Sequence, residues 1–212
     1  MSGSETIEFF FDLGSPWTYV VSTQIEGLSE RTGATVRWRP FLLGGVFKAT
    51  NNKSPFLEPV HNKLNHQRAD MEAWIEFYGI PFRFPSSFPP NTLTVMRGAV
   101  AAEKMGRLVP YARAGFKAFF VDDENISDPD VVIELARRSG LDRGAFEKLL
   151  SDLEVKEILK QNTEEAVVRG AFGAPTFFWN GRMFFGNDRL ALLEALYLRH
   201  SSTEIHPSAT AE

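Results

Sequence analysis

The sequence predicts an α/β protein: a mixed four-stranded sheet with helices on both faces, interrupted once by a large all-helical insertion. Three observations predict it. A strand, a helix and a second strand fit within the first 40 residues, which makes a βαβ unit with parallel strands. From about residue 58 to 168 the apolar spacing is helical almost throughout. A hairpin and one more helix then close the chain. The expected division is 5–44 with 169–200 for the sheet domain, 45–168 for the insertion, and a flexible tail over 201–212.

The first strand is the aromatic run Thr6-Ile7-Glu8-Phe9-Phe10-Phe11, apolar enough to be buried. Ser15-Pro16 follows, an N-cap and first-turn pair that starts a helix carrying Val21, Ile25 and Leu28 and ending near Gly33. Thr35 to Arg39 alternates as a half-exposed strand stopped by Pro40. Within the insertion, Met71, Trp74, Phe77 and Tyr78 mark one helix, halted by Gly79-Ile80-Pro81. Phe82 to Pro90 is loop. Leu93, Met96 and Val100 mark a second helix, and Phe116, Phe119 and Phe120 a third. Asp128-Pro129 starts a fourth, and further helical turns run through Phe146, Leu149 and Leu159. Asn180-Gly181 joins Thr176–Trp179 to Arg182–Phe185, because both residues accept the positive φ of a type I′ turn. Gly186-Asn187-Asp188 opens the last helix, with Leu190, Leu193 and Tyr197 on its apolar stripe.

Composition narrows the chemistry. The 212 residues include no cysteine, so the chain makes no disulfide, no thiolate metal site and no thiol redox cycle of its own. The four histidines, His61, His66, His200 and His206, form no metal-binding spacing, and no metal is expected. A net charge of −4 without a basic stripe argues against nucleic acid. No apolar run approaches the ~20 residues of a membrane span, and the first residues lack the pattern of a signal peptide. A cytoplasmic location is the expectation.

Four places carry possible chemistry. Ser15 ends a strand and begins a helix, where ligands of open α/β sheets collect and where a hydroxyl can donate to an anion or thiolate. Taken alone it is first of all an N-cap. Ala174-Pro175 precedes a strand, and a cis bond there would turn the Ala174 backbone toward an extended peptide, although a trans turn is the commoner case. Asn187 and Asp188 sit at a helix start, one as cap and the other free to meet an ammonium. Asn51-Asn52-Lys53 is a polar loop leading into the insertion, with Lys63 beyond it.

Five segments in this order resemble the 2-hydroxychromene-2-carboxylate isomerase and kappa-class glutathione transferase family. They are Phe-Phe-Asp-Leu-Gly-Ser-Pro-Trp-Thr-Tyr at 10–19, Trp-Arg-Pro-Phe-Leu-Leu-Gly at 38–44, Tyr-Gly-Ile-Pro-Phe at 78–82, Gly-Ala-Phe-Gly-Ala-Pro-Thr at 170–176 and Phe-Phe-Gly-Asn-Asp-Arg-Leu at 184–190. The resemblance implies a DsbA-like thioredoxin fold, glutathione as cofactor, and Ser15 in the place of the redox cysteine, donating to the glutathione sulfur. It implies that Ala174, before a cis Pro175, pairs with the cysteinyl unit, that Asn187 and Asp188 hold the γ-glutamyl end, and that Asn52 reaches the tripeptide from the insert side. Chain position adds Trp17 and Phe88 as an apolar wall against a small aromatic carboxylate. The cation for that carboxylate falls among Arg37, Arg39, Lys48 and Lys63, with Lys48 first. The implied reaction interconverts a chromene carboxylate and a trans-o-hydroxybenzylidenepyruvate in aromatic catabolism. In it, glutathione adds at the carbon that carried the hemiketal oxygen, the bond rotates, and glutathione leaves. A kappa-like transferase or peroxidase acting on electrophiles is the alternative, and a homodimer is the implied assembly.

Overall fold

The computed structural model describes residues 6–205. Strand β1 (Thr6–Phe11) lies at the centre of the sheet. It pairs in parallel with β2 (Thr35–Pro40) and antiparallel with β3 (Thr176–Trp179), which pairs in turn with β4 (Arg182–Phe185). The order β2-β1-β3-β4 follows from two local facts. A crossover helix forces β1 and β2 parallel, and Asn180 and Gly181, at φ of 48° and 72°, turn β3 straight back into β4.

Because β1 is central, both of its faces are buried. Phe9 stacks on Phe177 at 5.0 Å and meets Trp38 edge-on at 4.9 Å, on the face that also holds Ile7 and Phe11. Phe10 points the other way, edge-on to Phe178 at 5.4 Å and Phe41 at 5.7 Å. The helical segments share the larger of these clusters. Phe116, Phe119 and Phe120 of α6 (Leu108–Phe120) and Val95 to Ala102 of α5 (Leu93–Lys104) belong to the same apolar cluster as Phe9, Phe11 and Leu13.

The single helix expected after Ser15 is two. Helix α1 (Pro16–Ser22) ends where the Ser22 and Thr23 hydroxyls donate back to the carbonyls of Tyr19 and Val20, both at 2.7 Å, and α2 (Ile25–Thr32) restarts after one tight turn. Helix α3 (Leu43–Thr50) was not foreseen, since Gly44-Gly45 weakens helical propensity. Gly45 is there for space: a Cβ would meet the Thr163 methyl at 3.1 Å, where α3 packs on α9 (Leu153–Val168).

Helix α4 (His61–Tyr78) ends at Gly79 in the left-handed conformation, and the loop beyond it contains a cis Phe88–Pro89 bond. Helix α7 (Pro129–Arg138) is capped by Asp128, and α8 (Arg143–Ser151) by Asp142; Asp152 ends α8 and caps α9. Helix α10 runs Leu190–Ile205, so residues 201–205, expected in the tail, continue the helix; 206–212 lie outside the described residues. Among the described residues no helix is long and apolar enough to cross a membrane.

Candidate active site

Ser15 is built from the turn that ends β1. Its backbone is extended, Pro16 supplies the first helical residue, and its Oγ accepts from Thr18 N at 3.2 Å, which makes it the N-cap of α1. The same Oγ donates to the carbonyl of Ala174 at 3.3 Å. The side chain is only 4% exposed. Helix α1 has seven residues, too few for a strong macrodipole, so the hydroxyl is the chief polar feature of this corner.

Asp12 holds the corner in place. One carboxylate oxygen accepts from Gly14 N at 2.8 Å; the other accepts from Leu43 N at 2.8 Å and from the Thr92 hydroxyl at 3.0 Å. One buried side chain therefore fixes the Ser15 turn, the start of α3 and the start of α5. Burial pushes its carboxyl above the usual range, against the pull of those three hydrogen bonds.

A cleft of about 600 Å³ opens beside Ser15, a volume normal for a small-molecule site. Ser15, Trp17, Asn52, Phe88, Ala174, Asn187 and Asp188 all line it. Ala174–Pro175 is cis, as the resemblance implied and the local pattern alone did not, and Pro175 O accepts from Gly186 N at 3.1 Å. Asn52 bridges the two loops at the mouth, donating to Phe172 O at 2.8 Å and accepting from Lys53 N at 2.9 Å. Asn51, by contrast, is the left-handed cap of α3.

Asn187 is 4% exposed, and its Oδ1 takes a long contact of 3.5 Å from the Tyr78 hydroxyl. Its Nδ2 is buried with no hydrogen-bond partner among the described residues. Such a donor costs free energy until something accepts from it. Asp188 beside it is half exposed and pairs with Arg189 at 2.7 Å. Burial raises the Tyr78 phenol, while the Asn187 contact and the Arg31 charge pull it down.

Lys48 is not in this cleft. It lies on the far side of α3, against α9, because a helix turns about 100° per residue and its neighbour Phe47 is the one that faces Ser15. Arg39 is committed elsewhere, to Glu8 and Glu165, both at 2.5 Å, and to Asn162 at 2.8 Å. Arg37 and Lys63 do not line the cleft either; Lys63 faces Glu58 at 3.7 Å. Among the described residues lining the cleft, the cation is Lys53.

The insertion also contributes residues that no local motif marks as part of a site. Phe56, which meets Phe88 edge-on at 5.3 Å, completes an aromatic wall, and Gln67, Asp70 and Trp74 of α4 line the cleft as well. The spacing 67, 70, 74 is one helical face and was available as a signal; nothing local said what it faced.

The family profile of the DSBA-like thioredoxin domain matches residues 6–198. The 2-hydroxychromene-2-carboxylate isomerase of Sphingobium xenophagum is 31% identical over 196 residues, covering 92% of this chain and 99% of that protein. Human glutathione S-transferase kappa 1 is 28% identical over 221 residues, covering 97% and 96% of the two chains. A solved structure of a 2-hydroxychromene-2-carboxylate isomerase superposes with a TM-score of 0.84 at 28% identity, over 96% of this chain and all of that one. With the Ser15 corner at the end of the central strand and these matches running nearly end to end, the chain belongs to the DSBA-like thioredoxin family and, within it, to the enzymes of the 2-hydroxychromene-2-carboxylate isomerase group.

Proposed function

We propose that the protein is a glutathione-dependent isomerase that interconverts a chromene carboxylate and the corresponding trans-o-hydroxybenzylidenepyruvate. The observation that carries this reading is that Ser15 and Asn187 line one cleft, and that the buried Nδ2 of Asn187 has no hydrogen-bond partner among the described residues. A hydroxyl suited to a thiolate and an amide waiting for an acceptor fit the sulfur and the γ-glutamyl carboxylate of one tripeptide. With no cysteine in the chain, the thiol has to come from the ligand.

Glutathione, when bound, would supply a thiolate for reversible conjugate addition at the benzylic alkene carbon, β to the ketone, with the alkene electron pair moving to the enolate; addition at the former hemiketal carbon would leave the double bond in place and give no rotatable single bond. Ser15 donates to the sulfur and favours its ionised form. The Ala174 backbone and Asn52 lie along the cleft for the peptide, and Asn187 with Asp188 takes the γ-glutamyl end. Trp17, Phe56 and Phe88 flank the aromatic ring and exclude water. Lys53, in place of Lys48, meets the substrate carboxylate. The same reading puts the enzyme in aromatic catabolism, in the cytoplasm and as a homodimer.

The test is calorimetry with glutathione, ultraviolet titration of the bound thiol, and turnover of a chromene carboxylate with and without glutathione. The proposal expects binding, a depressed thiol pKa and recovery of free glutathione after turnover. Glutathione left on the product would make the enzyme a transferase instead, in keeping with its kappa-class relatives. Absence of binding at millimolar glutathione would refute both.

A further inference from the structure

Helix α3 is a wall of two cavities. Leu43 and Phe47 face the Ser15 cleft, whereas Gly45, Lys48 and Ala49 face a second cavity of about 880 Å³ between α3, α5 and α9. Its floor is apolar, with Leu42, Leu93, Leu159 and Val167. Leu153 and Val168, at the two ends of α9, form its rim and are 79% and 86% exposed.

Cations outnumber anions around this floor. Arg97, Lys48, Lys156 and Lys160 stand against Glu157 and Glu164. Both glutamates contact Lys160, at 3.5 and 3.8 Å. Among the described residues Lys48 and Lys156 make no ion pair, and the buried Arg97 Nε has no acceptor. A guanidinium N–H shut away from water is a standing demand for an acceptor. Apolar floor, unpaired cations and an orphaned donor together describe the complement of an organic anion with a greasy body.

We propose that this cavity is a second binding site, taking a hydrophobic monocarboxylate whose body lies on the apolar floor and whose carboxylate meets Arg97, Lys48 and Lys156. The Ser15 cleft is not required for it, so the proposal stands apart from the glutathione reading.

Calorimetry of the full chain with decanoate and with 2-naphthoate tests it, against decanol and 2-naphthamide as uncharged controls. One carboxylate bound per chain is expected, weakened about tenfold or more in the Lys48→Ala/Lys156→Ala double variant and in the uncharged control. The Lys53→Ala variant, altered in the other cleft, should leave that affinity unchanged. Binding of decanoate alone would make the ligand an aliphatic acid, and of 2-naphthoate alone an aromatic one. Arg97→Gln should weaken binding as well; the exposed lysine pair keeps the test valid if that buried change unfolds the protein. The proposal fails if neither acid binds at millimolar concentration, if the alcohol or amide binds equally well, or if only Lys53→Ala weakens the interaction.

Discussion

Ser15 Oγ stands 3.3 Å from the carbonyl oxygen of Ala174, a hydrogen bond that joins the turn after β1 to the turn before β3 across 159 residues of chain. The same oxygen caps α1 through Thr18 N. A thiolate placed beside Ser15 would compete with the Ala174 carbonyl for one hydroxyl proton, and would win it because a charged acceptor makes the stronger bond.

Ser15→Ala separates cap from donor. Losing the cap should cost about 1 kcal/mol of stability, seen as a melting point lowered by roughly 2–4 °C for a chain of this size. Losing the donor should raise the pKa of bound glutathione and cut turnover by ~10²-fold, as removal of one preorganised donor does elsewhere. An unchanged thiol titration in the variant would refute the role given to Ser15.

Asn187→Leu should act on binding and stability in opposite senses. Among the described residues the buried Nδ2 has no partner, so replacing the amide with an apolar side chain of similar size should leave stability equal or slightly higher, relief of that donor outweighing the long 3.5 Å contact from the part-buried Tyr78 hydroxyl. Glutathione affinity should fall about tenfold, the worth of one hydrogen bond to a charged group. Paired denaturant melts and calorimetry check this; a variant that loses stability and keeps its affinity would assign Asn187 to structure alone.

How much of this was legible beforehand depended on how local each cause was. Asn180-Gly181 and Asp128-Pro129 announced a turn and a helix start because the backbone angles they need are set by the residues themselves. The break at Thr23 was hidden because Ser and Thr hydroxyls end a helix only when they turn back to its carbonyls. Read from the sequence, Lys48 stands first among Arg37, Arg39, Lys48 and Lys63, and Lys53 is not among them: with Gly44-Gly45 masking α3, the phase of that helix, and so the side on which residue 48 emerges, has no local signal. Ser15 and Asn187 were placed by motif. That Asn187 would present an unpaired donor depended on packing by Tyr78, more than 100 residues away.

Asp12→Asn tests the post beneath Ser15. Asparagine has one acceptor oxygen where aspartate has two, so an NH2 would face either Gly14 N or the Leu43 N and Thr92 pair, at a cost of about 1–3 kcal/mol for each donor left unmet. Burial raises the native carboxyl above its unfolded value. Its contribution is therefore fully present below the unfolded pKa and is lost as pH rises through the folded one. The gap in stability between wild type and variant should narrow as pH rises across that window, measured by urea unfolding. A gap independent of pH would mean that Asp12 does not titrate as its burial requires.

Arg39→Ala tests the ionic cluster on the other face of the sheet. Arg39 is 7% exposed, bridges Glu8 and Glu165, and lies over the Phe10 ring at 4.8 Å from its centroid. Removing it leaves Glu8 and Glu165 with Arg169 alone, at 2.7 Å from each. The expected loss is ~3 kcal/mol near neutral pH. For Glu165, burial raises the pKa, but the bonds and charges of Arg39 and Arg169 outweigh it and hold the carboxyl below its usual value. Its stabilising share is present above the unfolded pKa and is lost as pH falls through the folded one, so the difference between wild type and variant should shrink in acid.

Lys53→Ala and Lys48→Ala, compared side by side, decide which cation meets the substrate. Lys53 lines the Ser15 cleft beside Asn52, while Lys48 points into the opposite cavity. An exposed ion pair contributes up to about 1 kcal/mol, so Lys53→Ala should raise KM for a chromene carboxylate roughly fivefold with little change in kcat. Lys48→Ala should leave both constants alone. Raised ionic strength should weaken substrate binding in the wild type and have less effect in Lys53→Ala, because the attraction being screened is already gone. If Lys48→Ala raises KM and Lys53→Ala does not, Lys53 is not the cation that meets the substrate.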